Sequence, residues 1–338
     1  MATTKVIPGV LDLNATGADK GLKMPSGTEL NRPTDATGQI RNNTNEASNQ
    51  SSSAQEYYNG TDWKVINNTP LTISLASPTL LNTKVVTTTQ GSIRGWSMTP
   101  DGTAFYGPSL NGSSQHYLHK YAASTPYDVS TIGSPTSYQI TSPFIGNYNS
   151  GCIINSNQSI IGYDPYTNIE WYTQPFGTNG DITTLGSAST FSCSRTGGDR
   201  TSRSMTFVDN ETKWFMITTN VRRFDLSTAG DPGSGPTCPS VIESASAYTT
   251  DLDGGNLRCF QLSYDGTQLI AAGDSMRLAM YTLSTPFDVT TRGTATKYNY
   301  TTVSGGSTAS IRGVFTNLDY TKLILTCTLD TIFEFSLS

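Results

Sequence analysis

The chain has 338 residues, a formal net charge of −5 and only 14% charged residues, against about 25% in an ordinary soluble domain. Its polarity comes from Ser, Thr, Asn, Gln and Gly instead. Scattered Lys and Arg on an acidic chain argue against nucleic acid as a partner, and no apolar run approaches the roughly 20 residues that span a bilayer, so no membrane insertion is expected.

The first ten residues, MATTKVIPGV, lack a basic stretch followed by an apolar core, and no signal peptide is expected. Residues 1–56 contain no Phe, Tyr or Trp and cannot bury enough surface to fold alone. Short apolar patches in this stretch, above all Val6, Ile7, Val10 and Leu11, suit docking on a partner. Asn59-Gly60 then supplies a strong hairpin signal, flanked by Tyr57, Tyr58, Trp63 and Val65. Residues 1–70 therefore read as an extended attachment and oligomerisation arm ending in a small β-hairpin, with Tyr57, Tyr58 and Trp63 as further assembly contacts.

Residues 71–338 carry an internal repeat. SIRGWSMTPDG (from Ser92), NLRCFQLSYDG (from Asn256) and SIRGVFTNLDY (from Ser310) are clear copies, TSRSMTFVDNE (from Thr201) is a fourth and SGCIINSNQ (from Ser150) a weaker fifth. The turn falls at Asp101, Ser156, Asp209, Asp265 and Asp319, in steps of 55, 53, 56 and 54 residues. Each copy reads as four short strands without helical periodicity, for example LRCFQL, QLIAAG, RLAMYTL and TKYNYTTV. Four strands at a period of about 54 residues predict an all-β, five-bladed β-propeller over 71–338. STPYDVST (from Ser124) and STPFDVTT (from Ser284) follow the third strand in phase with the repeat, with a relic FDLSTAGDP (from Phe224), so Asp128 and Asp288 are assigned a turning role.

The last copy ends without a fourth strand, while residues 77–89 align with the outer strand of the other copies. They are expected to pair with the C-terminal blade and remove an exposed sheet edge.

No metal or cofactor is expected. The five Cys have no CxxC spacing, and His116 and His119 read as one loop and one strand histidine without further zinc ligands. DLDGG (Asp251 to Gly255) has oxygen ligands at alternate positions but not the rest of a calcium loop, and reads as a polar turn. Asp101, Asp209, Asp265 and Asp319 occupy the repeated turn, and the other carboxylates are dispersed. No catalytic residue is assigned, and no enzyme is expected. Arg94, Arg203, Arg258 and Arg312 recur on the innermost strand, six or seven residues before the turn. They would form an axial site for an anionic group of a glycan, or clamp neighbouring blades. Trp171 and Tyr172 in IEWYTQP are glycan-contact candidates that strand packing explains equally well.

Residues 22–66 resemble a segment of tailed-bacteriophage virion proteins of the marine and cyanophage type. The matching motifs are Pro25-Ser26-Gly27-Thr28, Arg32-Pro33, Gly38-Gln39-Ile40-Arg41 and Tyr58-Asn59-Gly60-Thr61-Asp62-Trp63, with Asn42 where Tyr is common. The resemblance implies a fibre or appendage protein, and the LSTPFDVTT-type repeats look like propeller repeats of phage proteins. The expectation is a non-enzymatic virion structural protein, assembled in the host cytoplasm and exposed on the released particle. Residues 1–66 would bind other virion proteins, copies would form a homotrimer or higher ring, and the propeller would face host-surface polysaccharide. A glycan-degrading tail depolymerase and a soluble propeller scaffold are the alternatives.

Overall fold

In the computed structural model the chain divides into two units, Met1–Leu71 and Thr72–Ser338. The structure describes residues 26–27, 40–43, 54–58, 63–65, 72–86, 93, 95–110, 115–140, 152–154, 159–164, 169–178, 180–187, 189–193, 204–208, 211–231, 234, 240–317 and 319–337, with backbone alone in the strands of 26–65, 152–172 and 190–193.

The first unit holds a four-stranded sheet of β1 (Ser26–Gly27), β2 (Ile40–Asn43), β3 (Ala54–Tyr58) and β4 (Trp63–Val65), in that order. β3 and β4 form the expected hairpin, with Tyr58 opposite Trp63. The sequence reading left β1 and β2 within an extended arm. Instead β2 pairs antiparallel with β3, and β1 runs parallel to β2. Backbone ladders need no aromatic side chain, which is why composition missed these two strands. Val6, Ile7, Val10 and Leu11 lie outside the described residues.

The second unit contains five four-stranded sheets. The chain first lays down β5 (Thr79–Val85). The first sheet is β6 (Ser97–Met98), β7 (Ala104–Leu110), β8 (His116–Ala122) and β9 (Thr136–Ile140). The second is β10 (Cys152–Ile154), β11 (Ser159–Asp164), β12 (Ile169–Pro175) and β13 (Ser189–Cys193). The third is β14 (Ser204–Val208), β15 (Lys213–Ile217), β16 (Asn220–Asp225) and β17 (Ser240–Ser244). The fourth is β18 (Leu257–Leu262), β19 (Gln268–Gly273), β20 (Arg277–Thr282) and β21 (Thr296–Asn299). The last joins β22 (Ile311–Thr316), β23 (Lys322–Cys327) and β24 (Thr331–Ser336) to β5.

First strands of successive sheets are neighbours, β6 with β10, β10 with β14, β14 with β18 and β18 with β22. This is a β-propeller arrangement, with the first strand of each sheet innermost. Burial follows from that position. Every residue of β19 is buried, because its two faces meet the adjoining sheets, whereas β21 exposes three of its four residues. The middles of the second strands, LIAA in β19 and LIL in β23, accordingly read as apolar runs rather than alternating ones. Each fully buried Leu or Ile there contributes about 1.5–3 kcal/mol of transfer free energy.

The two motifs that repeat in phase touch one another. In the first sheet Gly102 takes φ +69°, and a Cβ there would meet the Tyr127 ring at 2.5 Å; Gly266 is held in the same way under Phe287. The Tyr127 and Phe287 amides donate to the carbonyls of Gly102 and Gly266 at 3.0 Å. Asp128 and Asp288 then cap single turns of 3-10 helix, Val129–Thr131 and Val289–Thr291. The second sheet has the same cap, which the sequence reading missed: Asp181 accepts from the Thr183 amide at 2.9 Å. Its signal is weak in TNGDITT because Gly180, at φ +71°, stands where Tyr127 and Phe287 adopt φ +55° and +59°.

β5 pairs antiparallel with β24 from Ser336↔Thr79 to Thr331↔Val85, the pairing expected of residues 77–89. Glu334 secures it. This carboxylate is 1% exposed. It accepts from Asn82 Nδ2 on β5 at 2.9 Å, from Lys322 Nζ on β23 at 2.7 Å and from the Val129 amide of the first sheet at 2.9 Å. Lys322 also donates to the Tyr127 carbonyl at 2.9 Å. Removing the carboxylate strands a partly buried ammonium and a buried amide. Glu334→Ala should therefore cost about 3 kcal/mol in urea unfolding, and Asn82→Ala distinctly less, because it removes only one neutral donor.

Candidate functional site

The innermost strands end in turns built alike. Asp101 Oδ1 accepts from Thr99 Oγ1 at 2.6 Å and from the Thr103 amide at 3.0 Å. Asp265 repeats this with Ser263 and Thr267, and Asp319 accepts from the Thr321 amide. Burial acts to raise the Asp101 carboxyl, but these hydrogen bonds outweigh it and hold it below the ordinary carboxylate range.

Between the inner strands, toward this turn end, lies a cavity of about 310 Å³. Most described lining residues come from β6, β14, β18 and β22 and the turns that follow them, with Trp96 just before β6 and Phe287 from the segment after β20. Its polar groups are hydroxyls and amides, including Ser97, Thr206, Ser263, Thr316, Gln261 and Asn317. Aromatic residues of the lining that are not core-buried are Phe207, Phe315 and Tyr264. Among the described lining residues Glu211 is the one carboxylate, and none is Lys, Arg or His. Gln261 Nε2 donates to Thr316 Oγ1 at 2.9 Å, joining two inner strands across the wall. Its Oε1 and the Trp96 Nε1 are buried with no hydrogen-bond partner. Such groups cost about 1–3 kcal/mol each.

Arg258 and Arg312 are not among the residues that line this cavity. Arg258 is the second residue of β18, and the lining on that strand begins at Phe260. Arg258 Nε and Nη2 grip Asp274 at 2.7 and 3.0 Å. Ser310 Oγ, which leads into the neighbouring sheet, donates to the same carboxylate at 2.7 Å. Burial acts to raise the Asp274 carboxyl, but the bonds from Arg258, Ser310 and Asn256 prevail and hold it well below the carboxylate range. At this position the geometry is that of a clamp. Arg312 lies on β22, half-buried, with a partner of its own, and is not among the lining residues. Arg94 and Arg203 fall outside the described residues. Trp171 and Tyr172 lie inside β12, between β11 and β13.

His116 and His119 both belong to β8, a correction to the loop-and-strand reading. His119 is fully buried, with Nε2 at 2.7 Å from Ser109 Oγ and Nδ1 at 2.8 Å from Ser137 Oγ. No carboxylate orients this ring, and Ser109 is 3% exposed, so the pair is a cross-strand contact rather than a nucleophile and base. In the DLDGG turn the carboxylates face other groups. Asp251 accepts from the Tyr281 hydroxyl at 2.9 Å, and Asp253 pairs with Arg277 and Lys297. No cluster of three or more His, Cys, Asp or Glu suited to a metal occurs among the described residues.

No protein-family model matches the chain, and no curated protein matches it. Among solved structures, the crystal structure of a protein from Lactobacillus plantarum is similar over 90% of this chain and 79% of its own, at 14% identity and a TM-score of 0.38. At that level the likeness leaves fold and function to be argued from this chain itself.

Two predictions follow from these contacts. Arg258→Met should lower stability by about 2 kcal/mol and leave sulfate binding in a calorimetric titration unchanged, whereas an axial anion site would lose its sulfate. Burial pushes His119 down from 6.5 to about 4. The unfolded chain therefore takes up this proton first as pH falls, and stability present above pH 6.5 is lost toward pH 4, by about 3 kcal/mol. His119→Asn should flatten that part of a stability-against-pH curve.

Proposed function

We propose that the chain is a non-enzymatic structural protein of a tailed-phage particle. The first unit anchors it to other virion proteins through residues 1–66, as a homotrimer or higher ring. The second unit is a closed five-bladed propeller displayed outward for attachment to host-surface glycan, on a tail fibre, tail adaptor or head decoration. The observation that carries this reading is the division at residue 71, which separates a unit whose described strands fall within the virion-like segment 22–66 from a larger all-β unit. The blade number is supported by the five sheets of that unit and by Glu334, which links the last sheet to the first.

The described cavity lining suits attachment. Hydroxyls, amides and aromatic faces are the groups that hold a carbohydrate without reacting with it.

Density-purified particles, probed with an antibody against residues 72–338, test the reading. The chain should co-purify with particles and be labelled on their outside by immunogold. Recovery only in the soluble lysate would overturn it, and release of reducing ends from host polysaccharide by the pure chain would replace attachment with depolymerisation.

A further inference from the structure

We infer that the cavity between the inner strands is a binding site for a single uncharged pyranose unit, entered from the turn face of the propeller. The inference rests on the attachment reading and sharpens it, naming the ligand class and the face that meets it.

Size sets the first limit. About 310 Å³ is the bottom of the range for small-molecule sites, about 300–1,000 Å³, and suits one sugar ring rather than a chain. Charge sets the second. With Glu211 as the one charged side chain of the described lining, no described cation there would receive a uronate or sialate carboxylate. Arg258 offers no help, since it lies off the lining and is held by Asp274.

Hydrogen bonding narrows the class further. The described lining presents hydroxyl and amide side chains, Thr206, Thr316, Gln261 and Asn317 among them. A sugar hydroxyl matches groups of either kind, because it donates one hydrogen bond and accepts others. The aromatic side chains add faces for the C–H surface of a pyranose.

The way in follows from the turns. Pro100 and Tyr264 adjoin the turn aspartates Asp101 and Asp265, and all but Asp101 and Asp265 themselves belong to the lining. Tyr264 is 66% exposed, and its amide is held by the Tyr320 hydroxyl, so its ring is presented at the mouth from a fixed backbone.

The test uses the full chain with a panel of neutral monosaccharides, alongside glucuronic acid and N-acetylneuraminic acid, read by saturation-transfer NMR and titration calorimetry. At least one neutral sugar should bind and the two acids should not. Thr206→Trp, which fills the cavity from β14, should weaken binding by about tenfold or more. Should that variant fail to fold, Tyr264→Ala at the exposed mouth still decides, with a several-fold loss expected. Absence of neutral-sugar binding, tighter binding of the acids, or binding unchanged in both variants would overturn the inference. Particles carrying Thr206→Trp that still attach to host cells would sink this site and leave the attachment reading standing. Sugar binding by a chain that is absent from particles would do the reverse.

Discussion

A β-sheet edge carries a row of unpaired backbone donors and acceptors, and the Thr72–Ser338 unit depends on how its last edge is covered. β24 is TIFEFS, with four consecutive buried residues, and would be an aggregation template if left open. β5 covers it, although nearly the whole unit separates the two strands in sequence. That pairing costs loop-closure entropy, so it needs more than a ladder. Glu334 supplies the rest by drawing a side chain of β5, a lysine of β23 and a backbone amide of the first sheet onto one buried carboxylate.

The same logic recurs around the unit in weaker form. Lys120 Nζ reaches the Gly180 carbonyl of the second sheet at 2.6 Å, as Lys322 reaches the Tyr127 carbonyl of the first. Lys213 of the third sheet lies over the Phe287 ring of the fourth. In each case a cation on one sheet addresses the turning segment of the next. The Arg258–Asp274–Ser310 contact performs a related task on the inner strands. These charges are spent between sheets and not in the cavity. That is how a chain with only 14% charged residues keeps its inter-sheet contacts while Glu211 is the one charged side chain of the described cavity lining.

A cavity whose described lining is hydroxyl-rich and aromatic, with Glu211 as its one charged side chain, follows from this division of labour. Its walls are the inner strands, whose half-buried positions alternate with core positions, as in the BiBBiB burial of Leu257–Leu262. The core positions pack into neighbouring sheets; of the two half-buried ones, Arg258 is held by Asp274 and Gln261 belongs to the cavity wall, where it bonds Thr316. Ligand chemistry is thereby set by the few residues per strand that packing leaves over.

The repeat made the sheets legible. Steps of 53 to 56 residues, Asp-Gly turns and β-rich segments located the inner strands, and the missing fourth strand of the last copy pointed to residues 77–89. These are local signals, carried by turn chemistry and strand pattern. Other features were not legible, for stated reasons. β1 and β2 rest on backbone pairing between residues of no marked β-propensity. The Asp181 cap was hidden because glycine adopts the left-handed conformation that Tyr127 and Phe287 adopt elsewhere. The arginine period was visible, but not the direction in which Arg258 points, because its partner Asp274 is 16 residues away across a strand turn. The sequence by itself determined the repeat, its turns and the strand that completes the last sheet. Only the tertiary structure decided that charges clamp sheets together while Trp96 and Gln261 line the cavity, because that depends on which side chains converge from separate strands.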